Sequence, residues 1–408
     1  MNVTENGDLN VGQIVKRISQ GLIETAGDVT RALHREHEYY TAKRTRALLC
    51  LTWACTSRCT TCTIWRRVRD ASQELSRDEW LAAADKLVGR GLQTVELFGG
   101  DVLLRKDVLF PLARRLKSLG CQVHMATNSN LLDAATAREL AACVDYVYLS
   151  TDGLGELHDR IRGVPGTFGR VREALGHLLA AREGRRWPAI ICNTTVSRYN
   201  AHVLSEIAAF AARAGFDEID FEYVGEIPPE SVARSRIGEY VPAPSFVRGG
   251  SSSLARPGDV PVMRRQLDLA RAQRAENGST SKPFKVVTTS IDALSDSQLV
   301  KGTVPLRPCF MERTEIVIDP YGNIVPCCFF DNYVVGNVRE GALDRSWETA
   351  ARVRFRRARQ AGRLDVCKHC IVSIVRNRTA FDTFRRAYFE NFRDPMRRGA
   401  DQAVRQEK

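Results

Sequence analysis

Between about residue 46 and residue 225 the chain alternates short β-rich apolar runs with longer stretches whose apolar residues recur at helical spacing. RALLCLTW, TVELF, QVHMA, DYVYLS, AIICNTTV and EIDFEYV read as six strands. Helices are predicted between them near residues 77 to 90, 107 to 118, 134 to 143, 168 to 182 and 201 to 214. The first opens with Ser76 and Glu79, the residue pair of a capping box. Repeated strand–helix units predict a parallel sheet, doubly wound or curled into a partial barrel, and in either case ligands gather at the carboxyl ends of the strands. Residues 226 to 260, rich in Pro, Gly and Ser, read as a long irregular loop leaving that face, a candidate cover. A sixth helix near 261 to 276 and a strand at FKVVTT follow. From Cys309 the pattern changes to hairpin-like strands, TEIVIDPYGNIVPCC, turning at Gly322, and then to a helix before CKHC. The predicted divisions are an N-terminal extension over 1–45, an α/β body over 46–290, a small cysteine-rich module over 291–375 and a tail over 376–408. In that tail Phe381, Phe384, Tyr388 and Phe392 fall at the spacing of an amphipathic helix.

Composition adds the surroundings. An apolar fraction of 44% with 26% charged residues is that of a folded soluble protein, and no apolar run reaches the roughly 18 residues a membrane helix needs. The start, MNVTENGDLN, carries acids where a secretory signal has bases, so a reducing cytoplasm is the expected compartment. The net charge of +12 raises the question of an anionic partner such as RNA. Arginines are interspersed with acids along the helices, and no strand interleaves bases with aromatics, so solvated faces are expected and nucleic-acid binding is not.

In a reducing compartment 12 cysteines are more naturally ligands or core residues than disulfide partners. Cys50, Cys121, Cys143 and Cys192 are dispersed in apolar contexts and read as core. The others fall into two groups. Cys55, Cys59 and Cys62 lie in CTSRCTTC, directly beyond the first strand, where one loop can turn all three sulfurs to a common point. Soft thiolates select zinc or iron–sulfur clusters, and a structural zinc wants a fourth ligand that no nearby histidine supplies. Three thiolates suit a [4Fe–4S] cube with one iron open to a small molecule. In the second group Cys309, Cys327, Cys367 and Cys370 offer four thiols, enough for zinc or a fully ligated cluster, and spacing does not choose between them. Cys328 reads as a core thiol, an alternative ligand or a hydrogen-atom donor.

On these residues the chain resembles the radical S-adenosylmethionine (SAM) superfamily. Phe98-Gly99-Gly100-Asp101 after the second strand resembles the family's GGE segment, with Asp for Glu, whose backbone receives the amino group of SAM. Ser150-Thr151-Asp152-Gly153, followed by His158 to Gly163, resembles the fourth-strand segment whose serine and downstream arginine, here Ser150 and Arg162, touch the cofactor. Asn193 stands where a ribose contact is usual. The residue before the third cysteine, aromatic in the family, is Thr61 here, leaving Ile64 or Trp65 to supply the adenine surface. The second group resembles the shortened SPASM module called Twitch, with only Arg376 where the full form has its next cysteine. The resemblance implies a partial (β/α)6 barrel with a cysteine-rich C-terminal Twitch/SPASM module. It also implies SAM and two [4Fe–4S] clusters, the first on Cys55, Cys59 and Cys62, the auxiliary one on Cys309, Cys327, Cys367 and Cys370.

The implied chemistry is cleavage of SAM to a 5′-deoxyadenosyl radical, abstraction of a substrate hydrogen, and oxidation of the substrate radical through the auxiliary cluster. The layout is similar to the aminocyclitol (2-deoxy-scyllo-inosamine) dehydrogenase type of antibiotic biosynthesis, so oxidation of an alcohol to a ketone on an aminocyclitol or sugar-like molecule is expected. The alternative is a maturase or epimerase of a ribosomally made peptide. Arg162, Glu222, Glu226 and Cys328 are the catalytic candidates, and a flavodoxin or ferredoxin is the expected electron donor to this basic chain.

Overall fold

The computed structural model describes residues 45–185, 187–273, 284–304, 309, 311, 315–341, 343 and 349–372. The N-terminal extension, Arg376 and the aromatic tail lie outside the described residues. Strands β1 (Arg46–Cys50), β2 (Thr94–Phe98), β3 (Gln122–Thr127), β4 (Tyr146–Ser150), β5 (Ala189–Val196), β6 (Glu218–Tyr223) and β7 (Lys285–Val287) pair in sequence order, all parallel. A doubly wound sheet reverses its strand order part-way. This one advances without reversal through β7, which selects the partial barrel.

The helices between the strands are α1 (Arg77–Gly89), α2 (Lys106–Ser118), α3 (Ala134–Cys143), the short α4 (Glu156–Arg162), α5 (Thr167–Arg182) and α6 (Leu204–Ala214). Strand alternation sorts the residues by face. Val147 and Leu149 of β4 join the core under the helices, whereas Tyr146, Tyr148 and Ser150 point into the barrel half-buried; β2 and β6 alternate in the same way. The capping box forms as expected, with Ser76 N–H donating to Glu79 Oε2 at 2.8 Å. Cys50, Cys121, Cys143 and Cys192 are all buried.

The cysteine-rich module is not a separate body hung from the barrel. Its strand β8 (Glu315–Ile318) pairs in parallel with the free edge of β1, Arg46 opposite Glu315, and β9 (Asn323–Val325) and β10 (Gly336–Asn337) continue antiparallel. One 10-stranded sheet thus spans both groups of thiols. Gly322 makes the β8–β9 turn at φ +82°, a conformation that favours glycine. Arg339 donates back to Glu79 of α1 at 2.6 Å.

The 226 to 260 segment is more ordered than its composition predicts. It contains helix α7 (Pro229–Arg234), and Ser231 of α7 donates to Asp365 beside the CKHC turn at 2.8 Å. Helix α8 (Asp259–Arg271) follows. Glu226 accepts from Ser252 Oγ at 2.7 Å and Ser253 N–H at 2.6 Å and pairs with Arg248, so it tethers this segment. Ser245 O accepts from both the backbone and the hydroxyl of Thr63, which folds the segment over the first thiol loop.

Candidate iron–sulfur and SAM site

The CTSRCTTC loop is held by main chain on two sides. Thr52 O accepts from Gly100 N–H at 2.8 Å and Ala54 O from Asp101 N–H at 2.7 Å. A Cβ on Gly100 would lie 2.1 Å from Ala54 O, and one on Gly99 2.3 Å from Thr52 O, so the glycine pair is what lets the two backbones meet. On the other side Arg58 N–H donates to Arg162 O and Thr60 N–H to Ile161 O, each at 2.9 Å. Gly163 ends α4 with φ +67° and admits the Arg58 carbonyl where a Cβ would stand 2.3 Å away.

The sulfurs sit among donors. Ser57 N–H reaches Cys55 Sγ at 3.4 Å, Ile64 N–H reaches Cys62 Sγ at 3.5 Å, and Arg162 Nη1 reaches Cys59 Sγ at 3.7 Å. Burial pushes the Cys55 thiol up and that of Cys62 up to about 12, so both carry protons until a cation replaces them. Asp101 serves the loop through its side chain, accepting from Thr56 Oγ1 at 2.5 Å and Leu103 N–H at 3.2 Å. Asn128 and Asn130, just beyond β3, donate to Thr56 at 2.9 and 3.1 Å. The sequence reading overlooked these two asparagines, although their place at the carboxyl end of a strand marked them.

Ser150 and Asn193 are register partners on the interior face, with Asp220 next in the row and Glu222 opposite Thr195 one step further. Burial first, then the charges of Glu96, Asp220 and Glu218, pushes the Tyr148 phenol upward. A cavity of about 150 Å³ lies beside the thiol loop, lined by Cys59 to Thr63, Trp65, the Val224–Glu226 turn after β6 and Arg248. Of the two candidates for the adenine surface, Trp65 lines this cavity, its Nε1 donating to Cys62 O at 2.9 Å, while Ile64 is buried on the opposite side.

In the second group, burial and then the neighbouring Cys328, Cys309, Cys370 and Cys367 push the Cys327 thiol strongly up. Cys328 also faces Cys50, and both line a cavity of about 20 Å³ with Trp53, Phe98, Asp319 and Asp331. Asp331 pairs with Arg67 through Oδ2; burial pushes it up to about 6, and its Oδ1 has no hydrogen-bond partner. One apolar group containing Leu48, Trp53, Ile64, Val317 and Val325 packs against Cys62 on one side and Cys309, Cys327 and Cys328 on the other. Among the described residues no three Cys, His, Asp or Glu side chains close around a single ion. The soft donor sets and the N–H groups aimed at sulfur fit iron–sulfur clusters.

Residues 50–190 match the model of the radical SAM superfamily and residues 309–371 that of SPASM, an iron–sulfur cluster-binding domain. The chain carries a radical SAM domain followed by a SPASM domain. The radical SAM domain uses SAM and a [4Fe–4S] cluster, and the SPASM domain adds an auxiliary iron–sulfur site. Among curated relatives, the pre-heme d1 synthase of Dinoroseobacter shibae is 24% identical over 67% of the chain and 66% of its own length. The AdoMet-dependent heme synthase of Methanosarcina barkeri is 25% identical over 78% of the chain and 87% of its own length. The fold is that of SuiB from Streptococcus suis bound to its precursor peptide SuiA, with TM-score 0.57 and 16% identity over 83% of this chain and 74% of that one. No helix among the described residues is long and apolar enough to cross a membrane.

Proposed function

We propose that this radical SAM chain is an oxidoreductase that converts an alcohol to a ketone on an amine-bearing polyol, an aminocyclitol or sugar-like intermediate. With its groups bound, the first site supplies a 5′-deoxyadenosyl radical that takes a substrate hydrogen, and the auxiliary site takes up one electron. On this reading Cys55, Cys59 and Cys62 hold the first cluster and Cys309, Cys327, Cys367 and Cys370 the second, with SAM against Gly99, Gly100, Ser150 and Asn193. The observation that carries the substrate class is the rest of the barrel interior, where Tyr148 and Thr195 share a face with Glu96, Asp220 and Glu222. Hydroxyls and carboxylates satisfy the donors of a polyol, and the carboxylates favour a cation. The apolar group shared by both sets of thiols excludes water between them.

An acidic flavodoxin or ferredoxin fits the surface beside the first thiols. Exposed Arg58 and Arg66 flank Trp65 there, their guanidinium carbons 5.4 and 4.7 Å from the ring centre. The test is anaerobic turnover of reconstituted protein with a panel of aminocyclitols and amino sugars. One ketone and one 5′-deoxyadenosine per SAM consumed is the expected result; SAM cleavage with no ketone from any member removes the reading. A second reading, modification of a tetrapyrrole, is favoured by the names of the two heme-synthase relatives. A carboxylated tetrapyrrole added to the same panel tests it.

A further inference from the structure

The geometry points to Arg162, locked by Asp152, as a positioning residue that holds the Cys59 thiolate and raises the reduction potential of the first cluster. Nη1 of Arg162 donates to Cys59 Sγ at 3.7 Å, while its Nε lies 2.9 Å from Asp152 Oδ2. That second contact is an ion pair rather than a straight hydrogen bond, because the Nε hydrogen is not aimed at the carboxylate. Both side chains are nearly out of solvent, Asp152 at 1% and Arg162 at 14% exposure. Burial works against the guanidinium's charge, but Asp152 and Cys59 outweigh it and hold the group protonated.

Asp152 is itself fixed from three directions. Its Oδ1 accepts from Thr195 N–H of β5 at 2.8 Å, its own N–H donates to His158 Nδ1 at 3.1 Å, and its carbonyl accepts from Asn200 Nδ2 at 2.9 Å. The arginine cannot swing away without abandoning a buried carboxylate. Its backbone carbonyl also accepts from Arg58 in the thiol loop, so side chain and main chain of one residue grip the loop together.

A cation that donates to a cluster thiolate stabilises the reduced, more negative cluster, and hydrogen bonds to the sulfurs are among the determinants of cluster potential. Asp152 limits that effect by offsetting most of the charge. The two residues therefore act in opposite senses. This role rests on a [4Fe–4S] cluster at Cys55, Cys59 and Cys62, and is independent of the substrate proposed above.

The test is a redox titration of the full-length, anaerobically reconstituted protein, read by EPR, in which the signal altered by added SAM identifies the first cluster. In Arg162→Gln the reduced-to-oxidised ratio at the wild-type midpoint should fall about tenfold, which for one electron is about 59 mV. Arg162→Lys, which keeps the charge but not the fork, should fall less, and Asp152→Asn should move the midpoint the other way. A wild-type midpoint in Arg162→Gln, or an Asp152→Asn shift of the same sign, overturns the assignment. Should Arg162→Gln fail to take up iron, Arg162→Lys decides, and a wild-type midpoint there also overturns it. An absent SAM response in the wild type would instead count against the radical SAM reading, with both midpoints still measurable.

Discussion

Gly100→Ala isolates the main-chain packing that positions the first thiols. Gly100 does not lie in the left-handed region, so alanine meets no conformational penalty and its whole effect is steric. The added methyl carbon would stand 2.1 Å from Ala54 O, 2.6 Å from Ala54 C and 2.9 Å from Trp53 O. Ordinary contact begins near 3.5 Å, so backbone on one side has to retreat by roughly 1 Å. The retreat pulls apart the Gly100–Thr52 and Asp101–Ala54 hydrogen bonds, now 2.8 and 2.7 Å. Leaving both unmade in buried surroundings costs about 2–5 kcal/mol, a Tm lower by about 2–6 °C for a chain of this length. Cys55 follows Ala54 directly and moves with it. Iron per chain should therefore fall from about eight toward about four, the auxiliary cluster alone surviving. Gly89→Ala is the control, since a Cβ there has nothing within 4 Å and the site closes α1. Full iron loading and an unchanged Tm in Gly100→Ala would refute the close-approach argument.

Three further outcomes are expected. His158, fully buried, has its pKa pushed down to about 3 by burial first and Arg162 second. An unfolded histidine titrates near 6.5, so His158 favours folding above that pH and the contribution is lost as pH falls toward 3. The iron-free protein should lose about 2 kcal/mol between pH 7 and pH 5 from this residue, and chemical denaturation of His158→Gln should lack that slope. Cys328→Ala should keep the auxiliary iron, because its thiol faces Cys50 and the small cavity, whereas Cys327→Ala should lose it; iron analysis and EPR distinguish the two. Charge reversal at Arg66 combined with Val68→Asp, Val68 being 97% exposed, should slow flavodoxin-driven SAM cleavage severalfold more than dithionite-driven cleavage, and the difference should shrink as salt is raised.

The six strands and long helices were legible because apolar periodicity survives in each, and the expected bounds differ from the observed ones by a few residues at most. Helices α4 and α7 were not, because at 7 and 6 residues they complete too few turns for a periodic signal. The thiol spacing announced the first site, yet its support was hidden, since Asn128 and Asn130 reach Thr56 across more than 70 residues of sequence. Glu226, a catalytic candidate in the sequence, also ties Ser252 and Ser253, contacts that spacing does not encode. Arg162 was singled out by its place in the fourth-strand segment, whereas its contacts to Asp152 and Cys59 join positions that spacing does not pair. Composition called the 226 to 260 segment irregular, and its anchoring depends on partners as distant as Asp365.

The parallel pairing of β1 with β8 has a consequence for how the molecule is born. Arg46 and Glu315 are about 270 residues apart, and at roughly 5–20 residues per second the ribosome takes about 15–50 s to deliver the second after the first. Throughout that interval β1 presents a row of unmet N–H and C=O groups, with Leu48 and Cys50 not yet covered by Val317 and Val325. An exposed apolar strand edge of this kind is prone to pairing with another chain. The apolar group that packs against Cys62 is completed only when Val317 and Val325 have been made.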